Sequence, residues 1–180
     1  MPDIRAMHRS AHDQLNKAYE SFQKSHIGGH AHEFDAIKLQ ASIFQYEICV
    51  ELDAFVNNNP SEFARKVSLK GVVHKLFEYN LVSNGLLRRV TALSRSRGFE
   101  VSDEAFKNER RKWRLQFKKL AAWSSVRNTA TGHYDKDTDA QAEALNLIDP
   151  EEVMSVVVAF LSANMAFLQM LRAVGRRHGT

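Results

Sequence analysis

The sequence predicts an all-α protein, an up-and-down bundle of about five helices that occupies residues 1–180 as a single domain. Only three prolines interrupt the 180 residues, which favours long helices over many short strands. Apolar residues recur at helical spacing in five stretches, and no stretch alternates convincingly as a strand. The length suffices for one hydrophobic core and is short for two.

The first two predicted helices run from about Ile4 to Lys24 and from about Glu33 to Asn57. The pair Gly28-Gly29 marks the loop between them. The second helix is apolar on two opposite sides, which is typical of a helix at the centre of a bundle. Its two apolar stripes are Ile37, Ala41, Phe44, Ile48 and Phe55, and Leu39, Ile43, Tyr46 and Val50.

The third predicted helix follows Pro60, with Ser61 available as its N-cap, and extends to about Ser96. It is the longest of the five. Gly71 and Gly85 lie inside it, and each is a candidate point for a break or a kink.

The fourth predicted helix starts at Ser102 as N-cap, and its apolar face continues to Ser124. The polar stretch Thr131–Ala142 then predicts an exposed loop. The last helix opens at Asp149 and Pro150, an N-cap followed by a proline in the first turn.

The last predicted helix contains an apolar stretch, Val153–Leu171, which raises the question of a membrane span. A spanning helix needs about 20 mostly apolar residues, whereas this stretch carries four polar side chains. The sequence therefore predicts a buried core or interface helix and no membrane span. The polar side chains are Ser155, Ser162, Asn164 and Gln169.

The composition indicates the cellular compartment and argues against some classes of enzyme. The single cysteine, Cys49, fits a reducing compartment, and Met1–Gln14 lacks the apolar segment of a signal peptide, so we expect a cytoplasmic protein. The chain has no Gly-rich phosphate loop and no G-x-S-x-G motif, which argues against nucleotide hydrolysis and serine hydrolysis. The net charge of +4 and the pI of about 9.3 are a mild indication of a polyanionic partner.

The fourth predicted helix is the most basic part of the chain, with seven basic residues and one acid between Lys107 and Lys119. At about 100° per residue, four of these cations share a face roughly 130° from the apolar stripe. This face is a candidate binding surface for RNA phosphates, and the alternative is an ordinary solvated surface. Its residues are Lys107, Arg111, Arg114 and Lys118.

Arg127 is the unusual cation, because the same helical angles place it within about 40° of Trp113, inside the apolar stripe. A core-facing guanidinium needs an anionic partner, since burying it unpaired is costly. Glu51 is a carboxylate that likewise needs a partner of opposite charge, because it interrupts an apolar stripe of the second helix. A buried Glu51–Arg127 ion pair is one expectation, and a phosphate or a second subunit against Arg127 is the other.

His133 follows Arg127 by six residues, which in an unbroken helix would put the two side chains about 120° apart. Gly132 is a stop signal, so we expect the helix to end or distort there. That distortion would free His133 to turn toward Arg127 or toward a partner subunit. Asp135 is close enough in sequence to orient the imidazole.

The segment Arg127-Asn128-Thr129-Ala130-Thr131-Gly132-His133 resembles the signature of the HEPN superfamily. That signature is an arginine, a polar residue directly after it, and a histidine after four to six intervening positions. Here five positions intervene and the polar residue is Asn128. The following Tyr134-Asp135 is similar to the ending of the phage-abortive-infection branch.

The resemblance implies a HEPN-like helical bundle that cleaves RNA without a metal or another cofactor, as a toxin or defence effector. It implies a homodimer whose two motifs meet, and an antitoxin is a further expected partner. Arg127 would hold the phosphate, Asn128 would position the phosphate or the Arg127 side chain, and His133 would act as general acid or base. Glu51 and Asp135 would support them. Other members are non-catalytic modules that bind nucleic acid or protein, which is the alternative function.

Five of the eight histidines lie near the N-terminus, and their spacing can ligate zinc. No cysteine and no H-E-x-x-H pattern supports such a site, so solvated polar side chains are the favoured interpretation. The five are His8, His12, His26, His30 and His32.

Overall fold

The computed structural model describes residues 3–28, 32–98, 101–131 and 137–177. All regular secondary structure in this part of the chain is helical and it contains no strand, which confirms the all-α prediction. Its elements are α1 (Ile4–Gly28), α2 (His32–Asn58), α3 (Glu62–Ser96), α4 (Glu104–Lys112), α5 (Arg114–Lys119), a 3₁₀ turn (Leu120–Trp123), a π-helical segment (Val126–Thr131), α6 (Thr138–Asn146) and α7 (Pro150–Arg177).

The first three helices lie side by side, each antiparallel to the next. The start of α1 contacts the end of α2, and the end of α2 contacts the first half of α3. The contacts that set this register are Arg5–Asn57, His8–Asp53, Glu51–Lys75 and Glu33–Arg89.

The core is centred on α7, which packs against α2, α3, α4 and α5. By length and apolar composition alone, Pro150–Ala173 could cross a membrane, but 67% of its most apolar window is buried inside the bundle. The burial agrees with the prediction of a core helix. Its largest fully buried side chains are Phe160 and Phe167.

A small polar cluster lies inside this apolar core. The side chain of Asn164 accepts a hydrogen bond from the Tyr79 hydroxyl and donates to Gln45 Oε1 at 2.9 Å and to the Ala41 carbonyl at 3.1 Å. Burial raises the pKa of Tyr79 far above its usual value, so the phenol stays protonated and donates. The cluster fixes the relative positions of α2, α3 and α7, because a buried polar group without its partner is costly.

Cys49 is a core residue of α2, with 1% of its surface exposed. Burial raises the pKa of its thiol to about 11. The thiolate is therefore nearly absent at neutral pH, and this side chain serves packing rather than nucleophilic chemistry.

The prediction of five helices was wrong in the basic region. The single fourth helix divides at Trp113, whose φ of −99° and ψ of 21° interrupt the regular helix between α4 and α5. The chain then tightens into the 3₁₀ turn and widens into the π-helical segment. The sequence does not predict this interruption, because no glycine or proline lies beside Trp113.

The exposed loop predicted over Thr131–Ala142 is also partly wrong, because α6 occupies Thr138–Asn146. The carboxylate of Asp137 caps this helix by accepting from the Ala140 backbone N–H at 2.9 Å. The predicted N-cap of α7 is confirmed, since Asp149 accepts from the backbone of Glu151 at 2.8 Å.

The glycines of α3 do not break the helix, which runs from Glu62 to Ser96. Close packing explains the glycine at position 71, because a Cβ there would lie 3.3 Å from Glu51 Oε1. Gly85 has no such reason, because a Cβ there would meet nothing within 4 Å.

Gly85→Ala is therefore expected to stabilise the protein by about 0.5–1 kcal/mol, through the lower conformational freedom of alanine in the unfolded chain. Urea denaturation followed by circular dichroism measures the change. Gly98→Ala is the matched control, because Gly98 has a φ of +77° and alanine is strained there. A midpoint for Gly85→Ala at or below that of the wild type would contradict the expectation.

Candidate functional site

The candidate site is carried by the π-helical segment Val126–Thr131, directly after the 3₁₀ turn. Trp123 and Val126 anchor it, with 1% and 0% of their surface exposed. A π-helical turn is rare, and such turns occur frequently at functional sites because the extra residue in the turn redirects side chains. Here the residues redirected are Arg127 and Asn128.

Arg127 does not point into the core as the helical angles predicted. Its side chain is 40% exposed, and both its Nε and its Nη2 lie 3.0 Å from Oε1 of Glu78 on α3. The extrapolation at about 100° per residue fails because the interruption at Trp113 and the π-helical turn both change the winding. The guanidinium therefore sits at the surface of the bundle, across from α3.

The expected Glu51–Arg127 ion pair is absent. Glu51 instead accepts from Lys75 Nζ at 2.7 Å, and its carboxylate lies against the backbone of α3 at Gly71. Glu51 thus joins α2 to α3 and does not support Arg127. Glu78 is the carboxylate that pairs with Arg127. Sequence reasoning missed it because it is one of many acids at ordinary surface positions.

The remaining motif residues are partly within the described structure. Asn128 is exposed, and Thr129 donates through Oγ1 to the backbone carbonyl of Ser125 at 2.8 Å. Such a bond from a threonine to the carbonyl four residues earlier is common in bent or distorted helices. His133 and Asp135 lie outside the described residues.

The face of α3 that carries Glu78 also carries His74, one helical turn earlier. Residues four apart lie on the same side of a helix, with their Cβ atoms about 5–6 Å apart. The π-helical segment packs against α3. The Arg127–Glu78 pair therefore lies on the side of α3 that also carries His74.

The four cations predicted to share a face are all exposed, as a binding surface requires. The interruption at Trp113 falls between the first two and the last two, so the face is not the straight stripe that the helical angles describe. Lys107 pairs with Asp103 at 2.9 Å, and Arg111 donates to Asn108 at 2.9 Å. The other two members are Arg114 and Lys118.

Arg110 behaves differently from its neighbours, which sequence reasoning did not distinguish. It is half-buried, and its guanidinium carbon lies 4.0 Å from the centre of the Phe117 ring. Its Nη2 donates to Asn80 Oδ1 at 3.4 Å. Burial lowers the pKa of Arg110, although the guanidinium stays charged near neutral pH. This residue fixes α4 and α5 to α3 and is not part of the exposed cationic surface.

His30 lies outside the described residues, and the other four N-terminal histidines do not form a single cluster. His8 contacts Asp53 at 3.1 Å, His12 lies near Asp13, and the rings of His26 and His32 are 4.8 Å apart. In the ranges that the structure describes, no three His, Cys, Asp or Glu side chains are placed to hold a metal ion.

Comparison of the chain with protein-family models, with curated proteins and with solved structures gives no match. The functional argument therefore depends on the local chemistry of this site.

Proposed function

We propose that this chain is a HEPN-like, metal-independent endoribonuclease of the toxin or phage-defence type. The observation that carries the proposal is the position of Arg127, half exposed on a π-helical turn and held by Glu78. An exposed ion pair of this kind contributes only about 0–1 kcal/mol, so an RNA phosphate can replace the carboxylate at small cost. Arginine then binds two phosphate oxygens at once.

The reaction needs no protein nucleophile and no cofactor. The ribose 2′-oxygen attacks the adjacent phosphorus, the bond from phosphorus to the 5′-oxygen breaks, and a 2′,3′-cyclic phosphate and a 5′-hydroxyl result. Arg127 stabilises the charge that develops on the phosphate. His133 moves a proton as general acid or base, with Asp135 orienting it and Asn128 binding the phosphate.

The exposed cations of α4 and α5 support an RNA substrate. They lie on the two helices that lead directly into the 3₁₀ turn and the π-helical segment of Arg127, and they add positive potential there. These cations are Lys107, Arg111, Arg114 and Lys118. A run of exposed cations of this kind attracts the phosphate backbone without reading its sequence. It also suits an acidic antitoxin that competes with RNA.

The assembly that we propose is a cytoplasmic homodimer of single-domain chains, with no membrane span. Each chain contributes one Arg127–His133 segment, and the two segments face each other at the dimer interface. Exposure of Asn128 and partial exposure of Arg127 leave this surface open to a second subunit.

The test is cleavage of single-stranded RNA by the purified protein in the presence of EDTA. We expect a 2′,3′-cyclic phosphate product, and we expect His133→Ala to lower the rate by about 10²–10⁴-fold without loss of helical content. His12→Ala is the control, because His12 is exposed on α1, away from the motif. Cleavage that requires a divalent metal, or that persists undiminished in His133→Ala, would contradict the mechanism.

The second candidate function is a non-catalytic helical module that binds nucleic acid or a protein, and the exposure of the four cations favours it. It predicts binding of single-stranded RNA without cleavage. Replacing the four cations with glutamine is expected to reduce the steepness of the slope of log affinity against log salt concentration by about 3, since each phosphate contact contributes about 0.7 to that slope. An unchanged slope would contradict the assignment of this surface.

The matched control carries four glutamines in place of exposed cations on α1, which gives the same change in net charge. Both variants are compared in the His133→Ala background, so that the RNA stays intact during the measurement. The α1 cations are Arg5, Arg9, Lys17 and Lys24.

A further inference from the structure

The proposed reaction moves two protons, one from the 2′-hydroxyl and one onto the departing 5′-oxygen. An efficient site uses two groups for this, a base and an acid. The segment from Arg127 to His133 contains one histidine and no other side chain that titrates near neutral pH. Either His133 of the partner subunit or a side chain outside the segment can be the second proton-transfer group.

His74 is placed to be that group. It lies on α3 one turn before Glu78, and Glu78 contacts the Arg127 guanidinium at 3.0 Å. The neighbouring Val73 and Leu76 are fully buried, whereas His74 is partly exposed and lies off the core face.

The spacing fits a phosphate bound at Arg127. If that phosphate takes the place of the Glu78 carboxylate, it lies next to the turn of α3 that carries His74, since the Cβ atoms of residues four apart on a helix are about 5–6 Å from each other. This is within reach of an imidazole directly or through one water molecule. The adjacent cation, Lys75, cannot serve, because Glu51 binds it at 2.7 Å on the side toward α2.

We propose that His74 is the second proton-transfer residue of this site, an assignment that rests on the proposed ribonuclease function. One imidazole takes the proton from the 2′-oxygen as its bond to phosphorus forms. The other gives a proton to the 5′-oxygen as its bond to phosphorus breaks. The proton count is balanced within each turnover, and no oxidant, reductant or metal takes part.

The first experiment compares His74→Gln with His12→Gln, the same substitution at an exposed histidine of α1. We expect His74→Gln to lower kcat/KM for RNA by about 10²-fold or more, with unchanged KM and thermal midpoint, while His12→Gln matches the wild type. The pH–rate profile of His74→Gln should lose one of the two limbs seen in the wild type. A purely structural histidine would not remove a limb.

The second experiment uses an RNA with sulfur in place of the departing 5′-oxygen. A thiolate leaves without a proton, so the defect of His74→Gln disappears on this substrate if His74 is the acid. The defect persists if His74 is the base, and either result supports the assignment. His74→Asn, tested in the same way, covers the case in which the glutamine variant does not fold.

Two results would overturn the inference, and they are distinguishable. If the wild type cleaves RNA and both His74 variants keep its rate and its two-limbed pH profile, His74 has no role in proton transfer although the ribonuclease function stands. If the wild type cleaves no RNA, the proposed function fails and the role of His74 fails with it.

Discussion

Arg127→Ala is expected to lower kcat/KM for RNA cleavage by about 10³–10⁵-fold, the range found where one arginine stabilises a phosphoryl transition state. Stability should change little, because the Arg127–Glu78 pair is 40% and 48% exposed and such pairs contribute about 0–1 kcal/mol. Arg127→Lys keeps the charge but loses the planar fork, so its rate should fall between those of the wild type and Arg127→Ala. The measurement is steady-state cleavage alongside a thermal melt.

Arg65 provides the matched control for Arg127. It is also a half-exposed arginine paired with a glutamate, Glu151 at 3.6 Å, and it lies at the start of α3. Arg65→Ala should therefore match Arg127→Ala in its small effect on stability and keep the wild-type cleavage rate. Equal losses of cleavage in the two variants would indicate a general effect of charge and would count against a specific role for Arg127.

Trp123→Ala is expected to destabilise the protein by about 3–5 kcal/mol, because it removes one of the largest fully buried side chains. A native domain is stable by only about 5–15 kcal/mol, so this is a large fraction of the total. The thermal midpoint should fall by about 10 °C or more. Activity should also fall, since Trp123 anchors the π-helical segment that carries Arg127.

The other tryptophan of the chain tests whether burial is the cause. Trp113 is partly exposed, and its Nε1 donates to Glu109 at 3.0 Å. Trp113→Ala should lower the free energy of unfolding by about 1 kcal/mol, from one hydrogen bond and partial packing. Similar losses in the two variants, measured by urea denaturation, would show that burial at position 123 is not what stabilises the site.

Much of the fold could be predicted because its signals are local. The helical class follows from periodicity and scarce breakers, and the start of α7 follows from Asp149, whose carboxylate caps it as expected. The burial of α7 could be expected because polar side chains interrupt its apolar stretch. One of these, Asn164, is the centre of the buried polar cluster.

The site was harder to predict because its geometry depends on helix winding. An interruption at Trp113 and a π-helical turn at Val126–Thr131 move Arg127 from the predicted core side to the surface. Such distortions are selected by tertiary packing, and the helix propensities of neighbouring residues do not reveal them. The partner residue Glu78 is 49 positions away in the chain, and no spacing rule connects residues so far apart.

The central position of α7 also determines when the bundle can close during synthesis. α7 follows every other described helix in the chain, so α2, α3, α4 and α5 leave the ribosome before the helix against which they pack. Glu78 and Arg127 are both translated before α7, but the bundle that holds them together closes only after α7 has emerged. Until then, the apolar faces of α2, α3, α4 and α5 that pack on α7 stay exposed, and other helices of the same chain can cover them only in part.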